Sequence, residues 1–145
     1  MATVHASAVL VGERAVLIRG PSGAGKSRLA LELIQAGRAG ALRFARLVGD
    51  DRVFLQVTGG RLLARPAPTL AGLLEVRGAG ILQLPYEPSA VIGLIVDLAG
   101  DTPRLPEPAQ QQLEIEGIRL PRLGVAAGEA ALPTVLALLN SSLQL

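Results

Sequence analysis

Gly20-Pro21-Ser22-Gly23-Ala24-Gly25-Lys26-Ser27 is a complete G-x-x-x-x-G-K-[ST] phosphate-binding loop, set between an apolar run and a helix-forming one. In such a loop the glycines let successive backbone N–H groups turn toward phosphate oxygens. The lysine brings a compact ammonium to the β- and γ-phosphates, and the serine hydroxyl suits Mg²⁺. Lys26 is the only lysine of the chain, and every other of the 14 basic residues is an arginine. Coding preference accounts for an arginine bias, but not for the one lysine standing where nucleotide chemistry needs it.

Working outward, residues 7–11 and 15–19 are short apolar runs parted by Gly12-Glu13-Arg14, which predicts a β-hairpin whose second strand feeds the loop. Leu29, Leu31, Leu33 and Ile34 ride on good helix formers as far as Gly37, so a helix over 26–36 follows, its N-terminus toward the phosphates. Further strands are expected over 43–49, 52–58 and 61–64, before Pro66 and Pro68 break the pattern, and again over 91–98 and 112–118. Residues 99–110 read as loop, and Pro133 opens a final helix over 132–143.

The 145 residues, 50% apolar, suffice for one domain spanning 1–145, with a core of aliphatic side chains because aromatics make up only 2%. The chain has no cysteine, which excludes disulfides and thiolate metal sites and makes a reducing cytoplasm the expectation. A start without a charged head and apolar stretch, and the lack of any 18-residue apolar run, argue against secretion and membrane spanning. Scattered arginines, a net charge of +2 and few aromatics argue against a nucleic-acid partner.

Several acids could do chemistry beside the loop. Asp50-Asp51 leaves an apolar run as two adjacent carboxylates, which suits a general base with an orienting partner and equally suits a solvated turn. Asp97 ends Leu94-Ile95-Val96 in the strand-plus-aspartate pattern that holds Mg²⁺ in many P-loop NTPases. Glu75 and Arg77 flank Val76, and in an extended chain both would share a face, Glu75 toward Mg²⁺ and Arg77 toward phosphate; a surface ion pair is the plainer reading. His5, the single histidine, says nothing alone.

Val4-His5, the loop followed by Leu29-Ala30-Leu31-Glu32-Leu33, Asp50-Asp51-Arg52-Val53, and Leu74-Glu75-Val76-Arg77-Gly78-Ala79-Gly80-Ile81 together resemble the catalytic domain of HPr kinase/phosphorylase, in its short form without the amino-terminal domain. The resemblance implies an α/β, P-loop, PEP-carboxykinase-like domain with a mixed sheet. It implies ATP- and Mg²⁺-dependent phosphorylation of a serine on an HPr-type phosphocarrier, reversed in many members by phosphorolysis, and a hexameric homo-oligomer. By position, Gly20 to Ser27 would bind ATP, Ser27 and Glu75 would hold Mg²⁺, and Asp50 would take the serine proton, with Asp51 and His5 tuning it. Arg77 and Arg104 match further catalytic arginines. The stretch tied in that family to dephosphorylation stands here as Gly124-Val125-Ala126-Ala127-Gly128-Glu129 without its arginines, which speaks against the reverse reaction. Two other readings remain: a small-molecule kinase or NTPase with Asp97 on the metal, and a nucleotide sensor without turnover.

An amine-directed ATP analogue that labels this protein through lysine can only label Lys26. Saturating Mg-ATP should protect it, as peptide mapping by mass spectrometry would show; unprotected labelling would leave the loop without a nucleotide.

Overall fold

The computed structural model describes residues 2–100 and 107–141, so Arg104 lies outside the described residues. In chain order the elements are β1 (Ala2–Val4), β2 (Ala6–Val11), β3 (Arg14–Arg19), α1 (Lys26–Arg38), β4 (Ala45–Gly49), β5 (Val53–Thr58), β6 (Arg61–Pro66), β7 (Leu73–Val76), β8 (Gly80–Gln83), β9 (Ala90–Leu98), β10 (Gln112–Ile115), β11 (Ile118–Val125) and α2 (Leu132–Leu139). Single 3₁₀ turns follow β6 and precede β10.

Nine strands form one mixed sheet in the order β1-β5-β6-β9-β3-β2-β4, with β11 on β9 and β10 on β11, while β7 and β8 make a separate hairpin. The α/β fold with a mixed sheet is therefore as expected. Its centre is β9, which runs parallel to β3 along one edge; along the other it pairs antiparallel with β6 near its start and parallel with β11 near its end.

Period-two alternation divides the core between two faces. On one, Val16 and Ile18 of β3 meet Leu94 and Val96 of β9 beneath Leu29, Leu33 and Ile34 of α1 and Val135 of α2. On the other, Ala15 and Leu17 pack with Ile95, Val48, Leu55 and Leu62. Ile92 joins this second face although strict alternation from Leu94 would send it to the first. The register between β3 and β9 slips between Ala15 and Val16, where Ile92 and Leu94 are the successive partners, so Gly93 is an extra residue that flips the phase.

The expected hairpins, the loop-bearing helix and the β9 strand are all present, with α1 running two residues further than its predicted end. Two expectations are corrected. The final helix, expected over 132–143, ends at Leu139 with Asn140 as its C-cap. The single strand over 112–118 is instead β10, a turn at Glu116-Gly117, and the first residue of β11. The rest of β11, the whole of β1 and the β7–β8 hairpin were not expected as strands. Pro121 lowers the strand signal of residues 118–125, yet it is accommodated where β11 changes partners: it pairs with Gln112, and from Arg122 onward the strand pairs with β9.

Gly37, in the last turn of α1, marks where the helix lies on β4: a Cβ there would come 2.8 Å from Ala45 Cβ and 3.0 Å from its nitrogen. Alanine normally improves a helix by up to about 1 kcal/mol over glycine. Here Gly37→Ala should reverse that sign and cost about 1–3 kcal/mol through overpacking, read as a lower urea midpoint.

Candidate functional site

The phosphate loop links β3 to α1. Gly25 closes it at φ 101°, a left-handed conformation that glycine adopts without Cβ strain, and the first helical hydrogen bond runs from Leu29 N–H to Gly25 C=O at 2.9 Å. No side chain caps the helix and no acid lies in its first turn, so the leading N–H groups and the positive end of the helix dipole face the loop uncompensated. At the other end, a Cβ on Gly20 would come 3.0 Å from Leu98 C=O, which is how closely the loop's entry packs on the end of β9. Lys26 leans back over the loop, its Nζ donating to Gly20 C=O at 2.8 Å and Pro21 C=O at 3.1 Å.

Directly after β4, Asp50 is buried, 4% exposed, and its carboxylate gathers three elements. The Ser27 hydroxyl from α1 lies 2.7 and 2.9 Å from its two oxygens, the Ser7 hydroxyl from β2 donates to Oδ1 at 2.6 Å, and the Glu75 N–H from β7 donates to Oδ2 at 3.3 Å. Asp51 differs in every respect. It is exposed, and it occupies φ 68° at the middle of a three-residue turn closed by Arg52 N–H to Asp50 C=O at 2.8 Å. Aspartate tolerates the left-handed region better than most residues, but a tight turn of this kind is uncommon and costs on the order of 1 kcal/mol.

The β7–β8 hairpin is fixed beside this turn by Leu74, fully buried against the α1 side of the core, and by Leu84 N–H to Gly72 C=O at 2.7 Å. Glu75 is exposed on β7. The strand ends at Val76, and Arg77 enters a turn closed by Ala79 N–H to Val76 C=O at 3.0 Å. The extended chain that would have put Glu75 and Arg77 on one face therefore stops short of Arg77. His5, exposed between β1 and β2, falls opposite the same turn, because Val4 pairs with Val53 and Ala8 with Gly49. The structure thus brings the loop, Asp50, Asp51, Glu75 and His5 to one end of the sheet. Ser7 is the residue the motifs missed; its only signal is a hydroxyl inside an otherwise apolar run over 6–11.

Asp97 lies elsewhere in the electrostatic scheme. It faces Arg19 across the parallel β3–β9 pairing and takes its guanidinium at both oxygens, 2.7 and 2.8 Å, while Arg122 of β11 donates to Oδ2 at 2.5 Å. Burial alone would raise this carboxyl, but the hydrogen bonds and charges of Arg19 and Arg122 outweigh burial and hold it below its usual range. A carboxylate with both oxygens committed to arginine is an anchor for the strand that enters the loop, which counts against Asp97 as a metal ligand.

Among the described residues no group of three or more His, Cys, Asp and Glu side chains could hold a metal by itself, and no helix is long and apolar enough to cross a membrane. A hard cation here would take oxygen from Ser27, Glu75 and the phosphates together, a donor set that fits Mg²⁺.

The family model for the HPr Serine kinase C-terminal domain matches residues 1–99. An HPr kinase/phosphorylase from Streptococcus thermophilus is 36% identical over 142 residues, covering 85% of this chain and 41% of the relative. Another, from Exiguobacterium sp., is 44% identical over 85 residues, 58% of this chain and 25% of the relative. The chain therefore spans between a quarter and about two fifths of these relatives' lengths. The solved HPr(Ser) kinase/phosphatase of Coxiella burnetii superposes with a TM-score of 0.75 at 25% identity, covering 96% of this chain and 88% of that one.

Asp97→Asn should cost roughly 2 kcal/mol at neutral pH by leaving two arginines poorly paired. Because the Asp97 pKa is lowered, its contribution is complete above the unfolded value of about 3.9 and fades as pH falls through the lower folded value. The difference in urea midpoint between wild type and variant should therefore shrink below about pH 4.

Proposed function

Because the chain belongs to the HPr Serine kinase C-terminal domain family, we propose that it is a protein serine kinase using ATP and Mg²⁺ to phosphorylate an HPr-type phosphocarrier. The observation that carries this reading is the Ser27–Asp50 hydrogen bond beneath the phosphate loop, with Glu75 locked to the same carboxylate through its backbone. Mg-ATP supplies the phosphoryl group and a cation that neutralises charge on it. Gly20 to Ser27 would cradle the phosphates, Lys26, which donates to two loop carbonyls, would reach the phosphate oxygens, and Ser27 and Glu75 would hold the cation.

The two aspartates divide the remaining work in the reverse of the order that the resemblance implies. Asp50 is buried and already accepts from Ser7, Ser27 and Glu75, so it orients the Ser27 hydroxyl. Asp51, exposed and held outward by its strained turn, is free to accept a proton from an incoming serine hydroxyl. Arg77 at the hairpin turn and His5 flank that approach. A protein substrate is favoured over a small molecule by the apolar side chains on the same hairpin, Ile81 at 69% and Leu82 at 37% exposed. The homo-oligomeric assembly belongs to the same proposal.

Labelled ATP, Mg²⁺ and an HPr-type protein test the reading. Asp51→Asn should lower transfer by at least about a hundredfold while ATP affinity is kept. Asp50→Asn should weaken Mg²⁺-dependent ATP binding itself, and Asp97→Asn should leave turnover of the folded fraction in place. Absence of transfer by the wild type defeats the kinase assignment; full transfer by Asp51→Asn returns the base to Asp50.

A further inference from the structure

Ser7 lies on β2 with no exposed surface, opposite Ile18 of β3 and between Ala6 and Ala8. A hydroxyl in such surroundings costs about 1–3 kcal/mol unless it is paired. Its partner is Asp50 Oδ1 at 2.6 Å. The bond crosses 43 positions of sequence and ties β2, the hairpin partner of the strand that feeds the loop, to the turn that follows β4. Among the described residues no arginine or lysine contacts Asp50, so the carboxylate is held by neutral donors alone: the hydroxyls of Ser7 and Ser27 and the N–H of Glu75. The Ser27 hydroxyl has one proton, and both Asp50 oxygens compete for it at 2.7 and 2.9 Å. What keeps the carboxylate from turning is the pair of donors that are not Ser27.

We infer that Ser7 is a positioning residue for metal-dependent nucleotide binding: it fixes the Asp50 carboxylate, which holds the Ser27 proton and leaves the Ser27 lone pairs facing the phosphate loop. This rests on the kinase reading, in which Ser27 meets the cation. Residues that orient a metal ligand through a second hydrogen bond typically alter metal affinity about 10–100-fold when removed, without touching the metal themselves. Loss of the Ser7 hydroxyl frees the carboxylate to turn about its bond and draws the Ser27 proton with it.

Calorimetric titration of ATP into the protein, with excess Mg²⁺ and separately with EDTA, tests this on wild type, Ser7→Ala and Ser7→Thr, each with its melting temperature. Ser7→Ala should bind ATP in EDTA within twofold of wild type and lose about tenfold of the affinity gained with Mg²⁺. Ser7→Thr keeps the hydroxyl on a strand that favours β-branched residues and should recover most of that gain. A Mg²⁺-dependent gain unchanged in Ser7→Ala overturns the inference, as does an equal loss with and without Mg²⁺, which would mark Ser7 as structural only. Should Ser7→Thr fail to fold, the two Ser7→Ala titrations decide alone. Wild type that binds ATP without any gain from Mg²⁺ overturns the inference but leaves the loop a nucleotide site. Wild type that binds no ATP ends the kinase reading, and this inference with it.

Discussion

One buried carboxylate ties together the parts that make up the site. Asp50 accepts hydrogen bonds from β2, α1 and β7, so the strand paired with the one entering the loop, the helix leaving it and the hairpin beside it share one anchor. An anion buried to 4% exposure is expensive unless its lone pairs are filled, and here hydroxyl and amide donors fill them. The arrangement is therefore cooperative: removing any donor leaves a buried charge less satisfied and loosens the other two contacts.

Asp97 solves the opposite problem with opposite means. It is bound by two guanidinium groups, at 2.7 and 2.5 Å, contributed by the strands that flank β9 in parallel pairing. Charge pairing of this kind holds strands in place but leaves no oxygen for chemistry. The two aspartates look alike in sequence, each ending an apolar run, and what separates them is which side chains the sheet order places opposite. β3 lies beside β9, which puts Arg19 against Asp97. β2 lies beside β4, which brings Ser7 near Asp50.

That dependence on sheet order shows what was legible in the chain and what was not. Eight positions of loop in register, an apolar run before them and 3.6-residue spacing after them place the phosphate loop and α1 without any tertiary information. The hairpin pairs β2–β3 and β5–β6 are local and were readable for the same reason. β1 is too short to carry a periodic signal, and Pro121 masks β11. Ser7 looks like one small residue in an apolar strand until strand order sets it against a carboxylate 43 positions away. The phase change at Gly93 is likewise invisible before β3 and β9 are paired.

Lys26 gives the loop a threshold. Its ammonium is already donating to the carbonyls of Gly20 and Pro21, so an arriving ligand must outbid two hydrogen bonds before it gains the lysine. Hydrogen bonds from a charged donor are worth roughly 1.5–3 kcal/mol each, and a neutral acceptor merely trades one for another. Only a group with concentrated negative charge gains from the exchange. On the kinase reading the loop would discriminate by charge density through a competition internal to its own backbone, favouring a polyphosphate over a sugar hydroxyl or a single amide.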